Sequence, residues 1–298
     1  MPGLATIISG ATIGLAAFYA SIPVYYLILG ELPPIADEND PAAAHIFDCL
    51  YPPDYPLASW TRLWNNLYIG LALPALMKAP RVFRIAPCLV MAWKLIYVHT
   101  IYENQAAMEA TGLPIPVMFV VLHFVMTAIW LGILILPDPP RKPTPPASTL
   151  AKVFRWIVYG LLALNMVTVW VMFTAAMTGT FPDAVADRED AASVWVEGQV
   201  FTDDAFQCAT MGTTFMVGPL LLLALPGAPQ VLRIAPALAN AVGIVGVNNY
   251  LENKLVLEAI GVPMNPNSAL VHTITAVTCV LVLFLPEPGA VIGKPKRK

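Results

Sequence analysis

Two glutamates lie at the ends of apolar stretches of this sequence, and each has a polar residue four positions before it. Glu103 follows His99, and Glu252 follows Asn248. Residues four apart share one face of an α-helix. Ionisable groups in membrane-type helices are energetically costly and indicate a functional site. A carboxylic acid beside an imidazole can exchange protons with a substrate, which predicts general acid–base chemistry.

A second histidine extends this group into the next helix. At about 1.5 Å per residue, Glu103 lies ~27 Å along from Ile85, and His123 lies ~14 Å along the returning helix. We therefore expect His99, Glu103 and His123 to form one cluster. Asn248, Glu252 and His272 would form its counterpart. The predicted catalytic residues are Glu103, Glu252, His99 and His123. The predicted substrate-binding residues are Trp60, Arg62, Asn66, Tyr102, Asn104, Asn248, Asn253 and His272.

A structural role competes with this interpretation. Polar side chains also join neighbouring helices in membranes, at about 0.6 kcal/mol each. Their presence in both halves favours that role, and it is the preferred one for Arg84 and Arg233, which we expect to mark the membrane surface. An asymmetry between the halves favours one specialised site. The first half carries Arg62, Lys94 and His99 where the second carries Met211, Gly243 and Asn248.

The elements that position these residues follow from composition. The 298 residues are 58% hydrophobic and only 12% charged, whereas soluble domains are about 25% charged. Eight apolar segments approach or exceed the roughly 18 residues that span a bilayer as a helix. The sequence therefore predicts an all-α polytopic membrane protein. The predicted spans are Leu4–Leu29, Leu57–Met77, Ile85–Tyr102, Ile115–Leu136, Val153–Met177, Ala205–Leu225, Leu232–Tyr250 and Ala269–Leu285.

The two halves of the chain are related by an internal repeat. The segment that begins APRVFRIAP at Ala79 matches APQVLRIAP at Ala228, an offset of 149, with 21 identities in 61 aligned positions. This predicts two tandem four-helix repeats of the same orientation, related by an axis along the membrane normal. The first covers residues 1–137 and the second residues 153–298. A Pro-rich cytosolic linker, residues 138–152, joins them.

Charge predicts the orientation. With eight spans and a cytosolic N-terminus, the cytosolic ends carry 12 of the 16 Lys and Arg residues, and the opposite ends carry 17 of the 19 acids. Positive charge in short loops marks the cytosolic side. Both termini are therefore expected in the cytosol. The tail KPKRK resembles a dilysine retrieval signal, which implies the endoplasmic reticulum, although a generic basic tail explains it equally. Cys49 and Cys208 fall on the opposite side, where they are either paired or free.

The sequence lacks the motifs of several classes of function. There is no basic stripe for nucleic acid, no phosphate-binding glycine loop and no GxSxG elbow. The four scattered histidines and the cysteine spacing predict no metal site, and no cofactor is expected. The expected partners are the lipid bilayer and a lipophilic small molecule.

Buried acids, histidines and aromatic side chains can together protonate an alkene or epoxide and stabilise the resulting cation. In architecture and implied chemistry, the chain resembles the fungal membrane-bound terpene cyclases of meroterpenoid pathways. The resemblance implies a metal-independent enzyme that cyclises or isomerises an isoprenoid. The Trp–Glu element of that family is missing, and the nearest string is Trp93–Lys94, so no residue role is transferred. A small-molecule transporter and a structural subunit of a membrane complex remain the alternatives.

Overall fold

The computed structural model describes residues 3–30, 56–102, 104–105, 108, 112, 114–140, 147–178, 218–251, 253–254 and 266–286. Within these ranges the chain is all-helical, as predicted. The acidic segments 31–55 and 179–217, residues 141–146 of the linker, the Cys49 and Cys208 positions and the C-terminal tail lie outside the described residues.

Eight helices follow one another in the described chain, at the positions of the eight predicted segments. In the first half they are α1 (Leu4–Leu29), α2 (Pro56–Lys78), α3 (Arg81–Trp93, followed by a π-helical segment Lys94–Tyr102) and α4 (Val117–Ile135). In the second half they are α5 (Thr149–Thr178), α6 (Gly218–Gly227), α7 (Gln230–Gly243, followed by a π-helical segment Ile244–Leu251) and α8 (Pro266–Val282). We call the two π-helical parts the first and second π segments.

Four of these helices are long and apolar enough to cross a membrane. They are Leu4–Leu29, Val117–Ile135, Thr149–Val171 and Gln230–Leu251. Their outward faces carry large apolar side chains such as Leu27, Ile28 and Val117, each more than three-quarters exposed. Contiguous apolar surface of this kind is unfavourable in water and favourable in lipid.

Proline and glycine set several helix ends. Pro80, Pro116 and Pro229 each stand immediately before a helix, where a missing backbone N–H does no harm. Gly30 closes α1 in the left-handed conformation (φ 68°), and its N–H donates to the Tyr26 carbonyl. Only glycine adopts this conformation without strain.

Each half of the chain builds its own buried core, and each core includes one helix of the other half. The first core consists of side chains from α1 to α4, with Leu221 of α6 added. The second consists of side chains from α5 to α8, with Ala75 of α2 added. Across the boundary, α2 packs on α7, and the Tyr68 hydroxyl of α2 donates to the Gly218 carbonyl at 3.0 Å. The two halves therefore pack as one helical body.

Small residues allow the closest helix contacts. A Cβ at Gly70 of α2 would lie 2.8 Å from the Ala16 carbonyl oxygen of α1, and a Cβ at Gly227 would lie 2.6 Å from the Phe83 ring. Neither position has room for a larger residue. The first contact joins helices of one half, and the second joins α6 to α3.

Arg84 is fully buried and holds the last turn of α4. Its Nε donates to the Ala79 carbonyl at 2.6 Å, and its Nη1 donates to the Ile133 and Leu136 carbonyls at 2.8 and 2.9 Å. Its Nη2 donates to the Pro137 carbonyl and to the Asp138 carboxylate, both at 3.1 Å. The guanidinium thus satisfies carbonyls that a helix C-terminus leaves without intrahelical partners.

Arg233 repeats this arrangement 149 residues later. It is also fully buried. Its Nε donates to the Ala228 carbonyl at 2.8 Å, and its Nη1 donates to the carbonyls of Val282 and Leu285. Its Nη2 donates to Pro286, as Arg84 does to Pro137, and additionally to Pro226. The structural role expected for the two arginines is therefore observed, and both side chains are buried within the protein. Their expected position at the level of the membrane surface stays a prediction.

We expect Arg84→Met and Arg233→Met each to destabilise the protein by about 3 kcal/mol or more, because each leaves several carbonyls without a donor and each unsatisfied buried carbonyl costs about 1–3 kcal/mol. The measurement is thermal unfolding of the detergent-purified protein, followed by fluorescence-detected size exclusion. Asp138→Asn is the matched control. Asp138 is half-exposed, so its charge is expected to contribute about 1 kcal/mol or less. A wild-type melting temperature for Arg84→Met would contradict the interpretation of these contacts.

Candidate functional site

His123 of α4 is buried, with 8% of its surface exposed. Its Nδ1 lies 2.7 Å from the Phe119 carbonyl oxygen, one turn earlier. Because a carbonyl only accepts, Nδ1 carries a proton and donates it there. This leaves Nε2 as the nitrogen at which a second proton is gained or lost. The Phe119 ring packs against the imidazole with centroids 4.0 Å apart, which gives it an apolar flank.

His272 of α8 occupies the equivalent position and is also buried, with 6% exposed. Its Nδ1 lies 3.1 Å from Oδ1 of Asn249 in the second π segment. The Asn249 Nδ2 donates to the Ala269 carbonyl at 3.4 Å and to the Thr273 hydroxyl at 3.1 Å. These bonds fix the amide orientation, so His272 Nδ1 must be the donor. Both histidines therefore donate a hydrogen bond through Nδ1.

Each histidine helix packs against a π segment of the same half. The first π segment, Lys94–Tyr102, contacts α4, and the second, Ile244–Leu251, contacts α8. The Thr100 hydroxyl donates to the Leu95 carbonyl five residues earlier, the separation that characterises a π turn. Such segments are rare and occur frequently at functional sites. The two share one position in the repeat, since residues 244–251 correspond to residues 95–102 under the offset of 149.

Sequence periodicity did not predict the π segments, and this changes the partner of His272. We expected Asn248, four residues before Glu252, to face His272. Asn249 makes the observed hydrogen bond, while Asn248 is half-buried. A π segment has more residues per turn than an α-helix, so the face presented to α8 shifts along the chain. The two consecutive asparagines, Asn248 and Asn249, were the only signal of this shift in the sequence.

Other predicted site residues are placed as follows. Asn104 Oδ1 accepts a hydrogen bond from the Ile115 N–H at 3.1 Å, which ties the end of the first π segment to the start of α4. Asn66 of α2 and Asn253 beyond the second π segment are half-buried.

The other predicted site residues, or their side chains, lie outside the described part of the chain. Glu103 and Glu252 are not among the described residues. Trp60 and Arg62 belong to α2, and His99 and Tyr102 to the first π segment, but their side chains lie outside the described part. The predicted cluster of His99, Glu103 and His123 therefore stays a prediction.

A buried polar network joins α5 to α8 and was not predicted. The Thr275 hydroxyl donates to Asn165 Oδ1 at 2.6 Å, and Asn165 Nδ2 lies 3.4 Å from the Thr278 hydroxyl. All three residues are buried. In the first half the equivalent positions are Ala16, Met126 and Ile129, which cannot form these bonds. The first-half contact between the equivalent helices uses a different pair, in which the Tyr19 hydroxyl of α1 donates to Met126 Sδ of α4 at 3.8 Å.

Among the described residues, no three His, Cys, Asp or Glu side chains come together as a metal site. The described chain contains two buried imidazoles, one in each half, and each has one fixed proton and lies on a helix that packs against a π segment. A neutral imidazole in this state can accept a proton at Nε2, and an imidazolium can return it. This arrangement suits general acid–base chemistry.

We expect Asn249→Ala to destabilise the protein by about 1–3 kcal/mol, because it leaves the buried His272 Nδ1 proton without an acceptor. Asn248→Ala is the matched neighbour and should cost less. Thermal unfolding of both variants in detergent gives the comparison. A larger loss for Asn248→Ala would show that α-helical spacing, and not the π segment, decides which residue faces α8.

No protein-family model, curated protein or solved structure matches the chain.

Proposed function

We propose that this chain is an eight-span membrane protein made of two four-helix repeats with the same orientation. The observations that support this are the eight helices at the spacing of the repeat and the two arginine networks at the same offset. The helix α6 is shorter than a span in the described chain and is preceded by residues outside it. Its predicted span begins there, at Ala205.

The arginine networks define one end of the protein. Arg84 follows the basic residues Lys78 and Arg81 in the chain, and Arg233 stands at the start of α7. We assign this end of the protein to the cytosol because positive charge marks the cytosolic side. The ends of the two π segments, and with them Glu103 and Glu252, then face the opposite side. The proposed compartment is the endoplasmic reticulum, with that side in the lumen.

Insertion of N-glycosylation acceptors tests this topology. Acceptors placed after Asp40 and after Asp187 should be glycosylated in cells, whereas one placed after Pro145 in the linker should not. The readout is a shift in electrophoretic mobility that glycosidase treatment reverses. Glycosylation at the linker alone would invert the topology, and glycosylation at all three sites would contradict four spans per half.

We propose further that the protein is an enzyme that moves protons to and from a lipophilic, isoprenoid-type substrate. The observation that carries this proposal is His123, a buried imidazole with its Nδ1 proton held by the Phe119 carbonyl at 2.7 Å beside the first π segment. A hydrogen bond whose only role is to join two helices needs no titratable group at this position. In the α5–α8 contact of the second half, Asn165 and Thr275 join two helices with neutral side chains alone.

The proposed reaction is a proton-initiated cyclisation or isomerisation. An acid protonates an alkene or an epoxide, aromatic side chains stabilise the cation, and a base removes a proton to end the reaction. In this proposal Glu103 or Glu252 is the acid, and His123 is the base through Nε2. His272 is its counterpart in the second half. Neither a metal nor a cofactor is required by these steps.

The packing at the arginine end favours an enzyme over a transporter. Here α2 and α6 meet through side chains that are wholly buried. Those of α2 and its end are Leu73, Ala75, Leu76 and Ala79, and those of α6 and its end are Leu221, Leu222, Leu225 and Ala228. Among the described residues, this packing closes the contact between the halves at that end. We propose that the site opens on the opposite side, which suits a membrane-dissolved substrate.

We expect His123→Gln to lower turnover by about 100-fold or more, because general acid–base groups contribute that much. Membranes carrying wild type, His123→Gln, His272→Gln, Glu103→Gln and Glu252→Gln are incubated with epoxidised and plain prenylated phenols, and products are read by mass spectrometry. Thr12→Val is the control, since Thr12 is buried but bonds only within its own helix, to the Ile8 carbonyl.

The result divides the hypotheses. Loss of product with one Gln variant, at unchanged protein level, supports the enzyme and identifies the group. Full activity of His123→Gln contradicts its proposed role. No product from wild-type membranes contradicts the isoprenoid chemistry. Loss of protein in both glutamate variants, with the control intact, favours a structural role for these acids.

A further inference from the structure

One face of α3 meets the second half of the protein. Ala86, Val90 and Trp93 recur at helical spacing on this face, and they pack against Val169 of α5 and Leu220 of α6. The opposite face of α3, with Cys88, Met91 and Leu95, belongs to the first core. We call the contact of α3 with α5 and α6 the α3 seam.

Lys94 continues the α3 seam. It comes four residues after Val90, one helical turn further along the same face. Its backbone N–H bonds to the carbonyls of Met91 and Val90 where α3 passes into the first π segment, and the residue is half-buried. At about 1.5 Å per residue it lies ~20 Å from Arg81, deep within a core of ~30 Å.

An aromatic pair flanks this position. The ring of Tyr97 stacks on that of Trp93, with centroids 5.4 Å apart and planes 18° from parallel. Trp93 is half-buried against the seam, whereas Tyr97 is 37% exposed. The two stacked rings stand one and three residues from Lys94 along the chain.

The second half has no such amine. Gly243 occupies the position of Lys94, in the contact of α7 with α2. A Cβ there would lie 3.3–3.4 Å from atoms of Trp64, so the indole fills the space where a side chain would stand. The amine is thus specific to one of two equivalent contacts, which a purely structural duplication does not explain.

A charged amine within an apolar span is costly and is stabilised by an anion. The one carboxylate among the described residues, Asp138, lies at the other end of α3 and pairs with Arg84, and the other 18 of the 19 acids of the chain lie outside the described residues. We propose that Lys94 binds the carboxylate of a lipophilic acid, whose apolar chain lies along the Trp93–Tyr97 pair. The depth of Lys94 favours an acid dissolved in the bilayer over a phospholipid, whose headgroup stays at the surface.

This inference rests on the membrane placement proposed above and not on the catalytic role of His123. It therefore fails or stands separately from the turnover experiment. The full-length protein in phosphatidylcholine nanodiscs is tested for binding of radiolabelled oleate, against methyl oleate of the same chain length.

We expect oleate to bind the wild type at least 10-fold more tightly than the methyl ester. Lys94→Met should remove this preference, and Lys94→Arg should retain most of it. Lys152→Met is the matched control, because Lys152 is an exposed lysine of α5, and it should leave the preference unchanged. A photoreactive fatty acid should label the wild type within the segment Val90–Tyr97, which keeps the test valid if Lys94→Met does not fold.

Three results would overturn the proposal. They are an equal affinity of wild type for oleate and its ester, an unchanged preference in Lys94→Met, and photolabelling outside the α3 seam. Displacement of oleate by phosphatidylglycerol at equal concentration would also overturn it, because the site would then take a lipid headgroup. A stronger oleate preference in Glu103→Gln would support it and would identify Glu103 as a competing internal anion.

Discussion

The fold depends on a guanidinium that replaces water at a helix end. A helix C-terminus leaves its last carbonyls without intrahelical donors, and lipid offers none. Arg84 and Arg233 supply several donors from one planar group. Each bonds to a carbonyl just before its own helix and to carbonyls at the end of the next helix. A lysine could not make these contacts, because its donors leave from one atom. Each network thus joins the third helix of a half to the end of the fourth, and the remaining helices pack around these two helix pairs.

Much of this architecture is contained in the sequence, because its causes are local or periodic. Apolar length predicted all eight helices, and the bounds of α1 agree with the predicted Leu4–Leu29. The repeat predicted which arginines would behave alike. Their burial was not predicted, since an isolated arginine near a span end suggests a surface. Only the positions of their carbonyl partners show that the charge is satisfied inside.

The candidate site was less predictable. Hydrophobic periodicity assumes 3.6 residues per turn, and both π segments depart from it. The prediction therefore selected Asn248, whereas Asn249 contacts His272. The equivalence of His123 and His272 was predictable from the repeat, but the Phe119 acceptor was not. The Asn165 network was missed because an Asn or Thr in an apolar helix gives a weak signal, and its meaning appears only when α5 meets α8.

The arginine networks also constrain how the chain is made. The partners of Arg84 in α4 are synthesised 49–54 residues after it, which takes about 2–11 s at 5–20 residues per second. During that interval the arginine has entered the membrane region before its acceptors exist. It must remain in the translocation pore or reach the headgroups until α4 arrives. Because these partners all lie in the first half, that half can close before the second is translated, and the same delay then recurs for Arg233 and α8.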